Sequence, residues 1–504
     1  MDRKLLGDKG VNEGDDGHKP ADDQDVCQDD RSAQEKDEKE GLKDNSLVEV
    51  LSTTMSHYFP RFNEWLGQIT DIRNQDLITY ERQAVVWSAL LALLTKRGSR
   101  MQIGRQMRCG NFHMNLKDLC GQNNLECMPH GDTVEYLCAR LNVEELEGIQ
   151  VKMMARLLRN RVLENHRLLG KYYTIAIDGV HIHSFSYKHC EHCLYKEDKA
   201  TGVKVWMHMK LQASLVTATG LCLPMAVEWI ENEANYNKQD CELKAFYRLA
   251  QRLRELYPKL PICVLLDALY AGQPTFDCLK QQRMEWIVVF KEGSMSTLYP
   301  WVMSIKKHCG KNNVIVDIDE QEIQERQKRS HEQRLERGRP KNKKRIRVTE
   351  TTYTWMSGIE PSQERSLFNV MTCKEMVDGV KTCDYAWLVS DALNLNENNV
   401  RALAKRGRCR WKIENEGINT QKNGGYRLEH LYSRDEVGMK IWCALIDIAH
   451  LINQLIEQGS LITIKTYGSI RNIAQRMFEH LRYYVFRKPP NPPRIQIRLG
   501  WNTS

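Results

Sequence analysis

The order of short apolar and amphipathic segments between residues 172 and 290 limits the fold more than any other feature of this sequence. Two segments carry apolar residues at helical spacing, QDCELKAFYRLAQRLRELY (239–257) and GQPTFDCLKQQR (272–283). Five others have the length and composition of single strands: YYTIAID (172–178), VKVWMHMKLQASLV (203–216), LCLPMAVEWI (221–230), PICVLLD (261–267) and EWIVVF (285–290). Three strands, a helix, a strand, a helix and a strand predict an α/β fold with a mixed sheet flanked by helices.

Two of the predicted strands end on an aspartate, Asp178 and Asp267. A carboxylate beside buried apolar residues is costly unless it is paired or bound to a metal, because burial disfavours its charged form. Taken alone, each aspartate is better explained as a helix N-cap or a turn former than as a ligand. Together they predict a rigidly held pair of acidic ligands.

A third acid comes from the highly charged segment GRCRWKIENEGINTQK (407–422), which we interpret as a helix. Arg410 and Glu414 are four residues apart and share a helix face, so the arginine can orient the carboxylate or bind a phosphate through two hydrogen bonds. Glu416 is rotated by about 200° from Glu414, so we assign the acidic ligand to Glu414 and expect Trp411 and Ile418 to anchor the other side. The alternative is a solvated helix whose opposite charges support each other locally.

Charge is distributed unevenly along the chain. Residues 1–45 hold fifteen Asp and Glu against eight Lys and Arg, a net of −7 within a total of +8, which leaves +15 on the other residues. The first 45 residues are therefore interpreted as a disordered acidic tail. The basic remainder favours a polyanionic partner, with nucleic acid first, although excess charge also serves solubility. Residues 46–170 are predicted to be a helical N-terminal region that either binds DNA or serves as a structural cap.

The region between residues 299 and 396 breaks the α/β order with strand-like segments and is predicted to be an all-β insertion. Its stretch from Arg326 to Arg347 has eleven Lys and Arg against two Glu. Such a basic, mobile arm favours contact with phosphates, and a solvated loop is the alternative. Residues 171–298 are then the first part of a catalytic core, and residues 397–504 its catalytic helix and C-terminal helices.

The chemical state of the cysteines depends on the cellular compartment of the protein. No apolar run approaches the ~20 residues that cross a bilayer, and no charged segment with a following apolar block opens the chain, so a cytosolic protein without membrane contact is expected. Its sixteen cysteines are then thiols or metal ligands. Cys190 and Cys193 form a Cys-x2-Cys pair, which is half of a zinc site, or else part of a reduced polar loop. The remaining zinc ligands would be found among three histidines: His189, His192 and His208.

Two further segments carry charge at predicted element boundaries. VFKEGSM places Lys291 just after a strand, where it can contact a phosphate. WIENEANYNKQDCE is rich in acids and ends on Glu242. It is interpreted as a turn and a helix N-terminus, which favour negative charge, rather than as a metal site.

Four motifs together resemble one known family. IAIDGVHIHS, LLDALYAGQPTF, VFKEGSM and RWKIENEGINTQKNGGYRLEH are similar to motifs of insertion-sequence transposases of the DDE class. The resemblance extends from about Leu47 to the C-terminus. That family has an RNase-H-like catalytic core with a β-rich insertion before the catalytic glutamate, so the resemblance implies an RNase-H-like fold.

The resemblance also implies a mobile-element enzyme with a two-metal site. Asp178, Asp267 and Glu414 would bind two Mg²⁺ ions, for which Mn²⁺ can substitute, and would catalyse cleavage at transposon ends and strand transfer into target DNA. The expected partner is double-stranded DNA bound by a homodimer, in the cytoplasm of a prokaryote at its nucleoid. Two alternatives stay open: a nuclease of this fold that does not join strands, and an inactive DNA-binding regulator derived from a transposase.

The helix motif of the family runs Tyr, two residues, Arg, three residues, Glu, six residues and Lys. Arg410 and Glu414 match it, whereas Gly407 and Gln421 stand at the Tyr and Lys positions, and Lys422 follows one place later. The residues expected to contact DNA come from this helix, the predicted strand end and the basic arm: Arg410, Lys422, Lys291, Arg339, Lys343 and Lys344.

Overall fold

The computed structural model describes five stretches of the chain: residues 46–309, 313–326, 342–360, 367–486 and 496–500. The predicted acidic tail and most of the basic arm, Arg339 included, lie outside them. Residues 46–504 make up one compact unit. Its described part is mixed α/β, with a ten-stranded sheet flanked by helices. The prediction of an α/β fold with a mixed sheet flanked by helices is therefore confirmed.

The residues before the sheet are helical, as predicted. The helices here are α1 (Leu47–Tyr58), α2 (Phe62–Gly67), α3 (Arg82–Leu94), α4 (Phe112–Cys120), α5 (Gly131–Cys138) and α6 (Val143–Arg159). α6 begins after Asn142, whose side chain accepts a hydrogen bond from the backbone N–H of Glu145 and so satisfies one of the free donors of the first turn. The apolar residues of α3 are buried along nearly its whole length, so this helix belongs to the core.

Ten strands form the sheet: β1 (Tyr173–Phe185), β2 (Leu194–Glu197), β3 (Lys204–Val216), β4 (Cys222–Ile230), β5 (Ile262–Leu266), β6 (Glu285–Val289), β7 (Val314–Arg326), β8 (Asn342–Ile359), β9 (Phe368–Val377) and β10 (Val380–Ser390). The later helices are α7 (Glu242–Leu256), α8 (Gln273–Gln281), α9 (Leu298–Cys309), α10 (Val400–Arg408), α11 (Asn419–Asn423), α12 (Glu436–Glu457), α13 (Ile464–Tyr467) and α14 (Ile470–Tyr483).

The strand order determines which distant segments meet. It runs β2-β3-β1-β5-β6-β10-β9-β8-β7, and β4 also pairs with β3. β1 is antiparallel to β3 and parallel to β5, and β5 is parallel to β6. Because parallel strands point the same way, residues that follow β5 and β6 lie at one edge of the sheet, where ligands of α/β proteins commonly bind.

β1 is longer than the sequence suggests. The prediction that this strand ends at Asp178 is wrong, because β1 continues to Phe185. Pairing with β5 stops at Ala176, whereas pairing with β3 runs on and places Asp178 opposite Gln212. The apolar pattern therefore ends where β1 loses its neighbour on one side, which leaves room for a polar side chain.

The inserted region is not all-β, because it opens with helix α9. Its strands β7 to β10 are antiparallel neighbours. They extend the core sheet through β10, in which Trp387 pairs with Val289 of β6. Both ends of the predicted arm are strand rather than loop, since β7 runs to Arg326 and β8 begins at Asn342.

The predicted catalytic helix is broken into pieces. A turn at Cys409 and Arg410 follows α10, and a π-helix over Ile413–Ile418 precedes α11. A Cβ on Gly417 would lie 2.7 Å from Sγ of Cys222, so this close approach to β4 requires glycine. Of the two residues expected to anchor the helix, Ile418 is buried, whereas Trp411 directly follows the turn and is 47% exposed.

Helix α12 is the central core helix. It is the one helix in the described stretches with the length and apolar composition of a membrane span, and 94% of that apolar window is buried inside the protein. Its apolar side chains are therefore accounted for by contacts with the rest of the chain.

Candidate active site

Asp178 and Asp267 both follow the last pair that β1 forms with β5. In that pair Ala176 lies opposite Leu265 in parallel, and each aspartate comes two residues later along its own segment. Burial raises the pKa of the Tyr270 hydroxyl, and the charges of Asp267 and Asp178 add to this shift. The sheet therefore brings both predicted aspartates to the surroundings of one tyrosine.

Arg410 connects the third acid to this pair. Its Nη2 lies 2.6 Å from Oε1 of Glu414, and its Nη1 lies 3.7 Å from Oδ2 of Asp178. The side chain of Arg410 is only 7% exposed, and its Nε and Nη1 are buried without a hydrogen-bond partner. A buried guanidinium thus stands between two acids and retains unused donors. The π-helix presents Glu414 here, and such bulges are frequent at functional sites.

The carboxyl group of Asp178 is strongly perturbed. Burial raises its pKa to about 7; the charge of Arg410 opposes this shift, and the neighbouring carboxylates of Glu414 and Glu242 add to it. The backbone N–H of Gly179 donates a 2.9 Å hydrogen bond to Oδ1 of Asp178. A pKa near neutrality, caused by burial next to other acids, is typical of functional carboxylates.

Glu242 is a fourth carboxylate of the site, and the sequence interpretation missed it. It is the first residue of α7, as a helix N-terminus predicts, but its Oε1 accepts a 2.6 Å hydrogen bond from the hydroxyl of Tyr270. A Cβ on Gly179 would lie 2.7 Å from Oε2 of Glu242, so the glycine next to Asp178 makes room for this acid. Burial and the charge of Asp267 raise the pKa of Glu242. The local signal was present, an acid cluster at a helix start, but nothing local relates it to Asp178.

Asp267 has two roles in this geometry. Its Oδ1 accepts a 2.8 Å hydrogen bond from the N–H of Leu269 and caps a short helical turn, which is the structural role considered from the sequence. It also lies close enough to Glu242 to raise the pKa of that carboxyl group. The cap holds the aspartate still at the end of β5.

The donor set of the site fits Mg²⁺, which prefers carboxylate oxygens. Asp178, Asp267, Glu242 and Glu414 offer oxygen ligands and no sulfur or imidazole nitrogen. The carboxylate oxygens of these residues are not all within 4.8 Å of one another, as the ligand atoms of a closed metal site would be. Across the described residues, one group of His, Cys, Asp or Glu side chains has all its ligand atoms within 4.8 Å of one another, and it consists of histidines and cysteines.

Other residues of the helix motif contact partners outside the acid site. Glu416 forms an ion pair of 3.3 Å with Lys412, which supports the choice of Glu414 as the site acid. Gln421 is fully buried and donates to Asp447, 2.7 Å away, so it lies in the core. Lys422 contacts Glu429 at 2.7 Å.

The other residues expected to bind DNA occupy two places. Lys291 is exposed and follows β6 by two residues, at the same sheet edge as Asp267. Lys344 is exposed on β8 and pairs with Glu322 at 2.7 Å. Lys343 lies next to it on β8, in register with Glu325 of β7. Arg339 lies outside the described residues.

A second cluster brings together residues that the sequence could only group loosely. His189, Cys190, Cys193 and His208 have ligand atoms all within 4.8 Å of one another. His192, the third histidine considered, is turned away, with its Nδ1 at 2.9 Å from the carbonyl oxygen of Asn232.

The sequence matches no protein-family model, and no curated protein matches it either.

Proposed function

We propose that this protein is a DDE-type transposase, which cuts DNA at the ends of a mobile element and joins the released 3′ ends to target DNA. The observation that carries this proposal is the arrangement of three acids distant in sequence. Asp178 and Asp267 each follow the last β1–β5 pair, Ala176 with Leu265, by two residues, and Arg410 links Asp178 to Glu414.

The topology supports an RNase-H-like core. β4, β3 and β1 are successive antiparallel neighbours, and β5 and β6 continue the sheet parallel to β1. α7 and α8 lie between the later strands in the chain, and strands β7 to β10 come before the helix that bears Glu414. This order of core, β-rich insertion and glutamate is the one that the family resemblance implies.

Asp178, Asp267 and Glu414 are the residues that would hold Mg²⁺, with Glu242 beside them. Bound there, Mg²⁺ would supply a Lewis acid that activates the attacking hydroxyl or water and stabilises charge on the phosphoryl oxygens. The protein contributes by keeping the acids on a rigid sheet. Asp178 must lose its proton to act as a ligand, and a pKa of about 7 makes this loss possible near neutral pH.

Arg410 is suited to a second task, the binding of a phosphate. Its Nε and Nη1 are buried and lack acceptors, and buried unpaired donors are costly. A phosphate oxygen of bound DNA that reaches the guanidinium would satisfy one of them through a charge-assisted hydrogen bond. Lys291, at the same sheet edge, would bind a further phosphate of the same strand.

The test is an assay with DNA that carries the sequences flanking the gene, with Mg²⁺ present. The wild-type protein is expected to release 3′ hydroxyl ends and to join them to a second duplex. Glu414→Gln should lower both steps by more than about 100-fold, the upper range for groups that only support a metal ligand. Glu416→Gln is the matched control, two residues away and paired with Lys412, and should keep wild-type activity.

The same assay separates the alternatives. Cut DNA without joined product identifies a nuclease, and bound DNA with neither product identifies a regulator. Equal activity of Glu414→Gln and Glu416→Gln would remove Glu414 from the site.

A further inference from the structure

A compact set of sulfur and nitrogen atoms lies in the loop after β1 and on the neighbouring strand β3. The Sγ atoms of Cys190 and Cys193 are 3.5 Å apart. Nε2 of His208 lies 3.7 Å from the first sulfur and 3.4 Å from the second. Nδ1 of His189 is 3.3 Å from Nε2 of His208.

These four distances match four of the six edges of a metal-centred tetrahedron, and the two from His189 to the sulfurs are within 4.8 Å. Zinc binds sulfur at about 2.3 Å and imidazole nitrogen at about 2.0 Å. A tetrahedron with those radii separates two sulfurs by about 3.8 Å, two nitrogens by about 3.3 Å, and a sulfur from a nitrogen by about 3.5 Å. The observed separations agree with these values to within about 0.3 Å. A disulfide is excluded, because its sulfurs are bonded at about 2.05 Å.

The surroundings of the cluster hold the ligands in place. The backbone N–H of Cys190 lies 3.3 Å from Sγ of Cys193, a contact that stabilises a thiolate. Nε2 of His189 is 2.8 Å from the carbonyl oxygen of Arg434, so it donates its proton there and leaves Nδ1 free to bind a metal. His208 is buried on β3, and its Nδ1 has no hydrogen-bond partner.

We propose that His189, Cys190, Cys193 and His208 form a structural zinc site. Two thiolates with two imidazoles in a tetrahedral arrangement favour zinc over magnesium or calcium, which take oxygen ligands. Four protein ligands close the site and leave no position for a substrate. The metal binds the loop after β1 to β3, and His189 also contacts the chain just before α12.

This zinc site has a consequence for the acid site, because β1 carries Asp178 and leads into the loop that holds three of the zinc ligands. The metal would hold the distal half of the strand, from which His181 approaches Glu429, the partner of Lys422. Loss of zinc should therefore lower thermal stability, and it should leave the pairing of Asp178 with Gln212 on β3 in place.

The test is metal analysis of protein purified without a histidine tag or chelator. Wild type should hold about one zinc per chain, and so should Cys241→Ser, a control at an exposed free cysteine. Cys190→Ser and His189→Gln should hold less than about a tenth of that. Wild-type protein that stays below that level after dialysis against Zn²⁺ would overturn the proposal, as would full zinc retention in both variants.

A second measurement does not depend on how well the variants fold. Wild-type protein reconstituted with Co²⁺ should show the strong visible absorption of a tetrahedral site with thiolate ligands, and Zn²⁺ should displace it. Weak absorption typical of octahedral cobalt would contradict the assignment. A strong chelator should lower the melting temperature of wild type and Cys241→Ser, and an unchanged melting temperature would equally contradict it.

Discussion

Arg410 and Glu414 form a 2.6 Å ion pair in which the arginine side chain is almost fully buried. The same guanidinium faces Asp178 at 3.7 Å. A single buried cation therefore separates two carboxylates that would otherwise repel each other. Both the stability of this sheet edge and its affinity for metal should depend on that cation.

Arg410→Ala should lower the free energy of unfolding by about 2 kcal/mol, because it leaves two partly buried acids uncompensated. Arg408→Ala is the matched control. Arg408 pairs with Glu375 at 3.0 Å and is 42% exposed, so its loss should cost less than about 1 kcal/mol. Urea denaturation in the presence of EDTA measures both values. Equal losses in the two variants would contradict the central role given to Arg410.

The stability of the metal-free protein should depend on pH through Asp178. Its pKa of about 7 in the folded protein exceeds the ordinary value of about 4, so the folded state binds this proton more tightly than the unfolded state does. The resulting stabilisation is complete below about pH 4 and is lost as the pH rises through about 7. The variant Asp178→Asn lacks this proton-linked stabilisation. Wild type should therefore become less stable relative to the variant as the pH rises from 4 to 7. Urea denaturation of both proteins across this range measures the difference, and a constant difference would show that Asp178 titrates normally.

Glu242→Gln should move that transition to lower pH. The carboxylate of Glu242 contributes to the raised pKa of Asp178, and a neutral amide removes the repulsion. The measurement compares urea denaturation of Glu242→Gln with that of the double variant Glu242→Gln/Asp178→Asn across the same pH range. Glu233→Gln changes an exposed acid of the same acidic segment and should leave the transition unchanged. An unshifted transition in Glu242→Gln would remove Glu242 from the site.

A buried ion pair between β3 and α12 should affect the free energy of unfolding and not the activity. Lys210 and Asp447 are 2.8 Å apart, both essentially unexposed, so Lys210→Met should cost about 3 kcal/mol by leaving an unpaired buried carboxylate. Lys204→Met, on the same strand, breaks an exposed pair with Glu197 and should cost less than about 1 kcal/mol. Adding Asp447→Asn to Lys210→Met removes the unpaired charge and keeps an acceptor for the side chain of Gln421, so it should recover much of the loss. Equal losses of unfolding free energy in Lys210→Met and Lys204→Met would contradict the structural role given to the buried pair.

Lys291 should contribute one phosphate contact to DNA binding. Lys291→Gln is expected to weaken binding to all DNA sequences similarly and to reduce the salt dependence of log K by about one unit of slope. Lys280→Gln is the control, because Lys280 is exposed near the end of α8, at the opposite end of β6. Binding titrations over a range of salt concentrations measure both slopes. Equal slopes in wild type and Lys291→Gln would place DNA away from this edge.

Local patterns predicted much of the fold. The five core strands and the two helices between them have the order expected from periodicity, and the apolar faces of α7 and α8 are buried as that spacing requires. The i,i+4 relation of Arg410 and Glu414 was equally local and became an ion pair. The orientation of Trp411 was predicted wrongly, because a turn and a π-helix interrupt the assumed helix.

The amino-acid sequence by itself determined the elements and the types of ligand, since strand and helix periodicity, charge and cysteine spacing depend on neighbours a few residues apart. Only the tertiary structure decided which ligands meet. The pairing of β1 with β5 ends two residues before Asp178 and two residues before Asp267. Arg410 lies in a turn from which its guanidinium reaches both Asp178 and Glu414, and the start of α7 adds Glu242. The packing of the loop after β1 likewise chose His189 and His208 over His192. These choices depend on long-range register and packing, for which no short sequence pattern carries a signal.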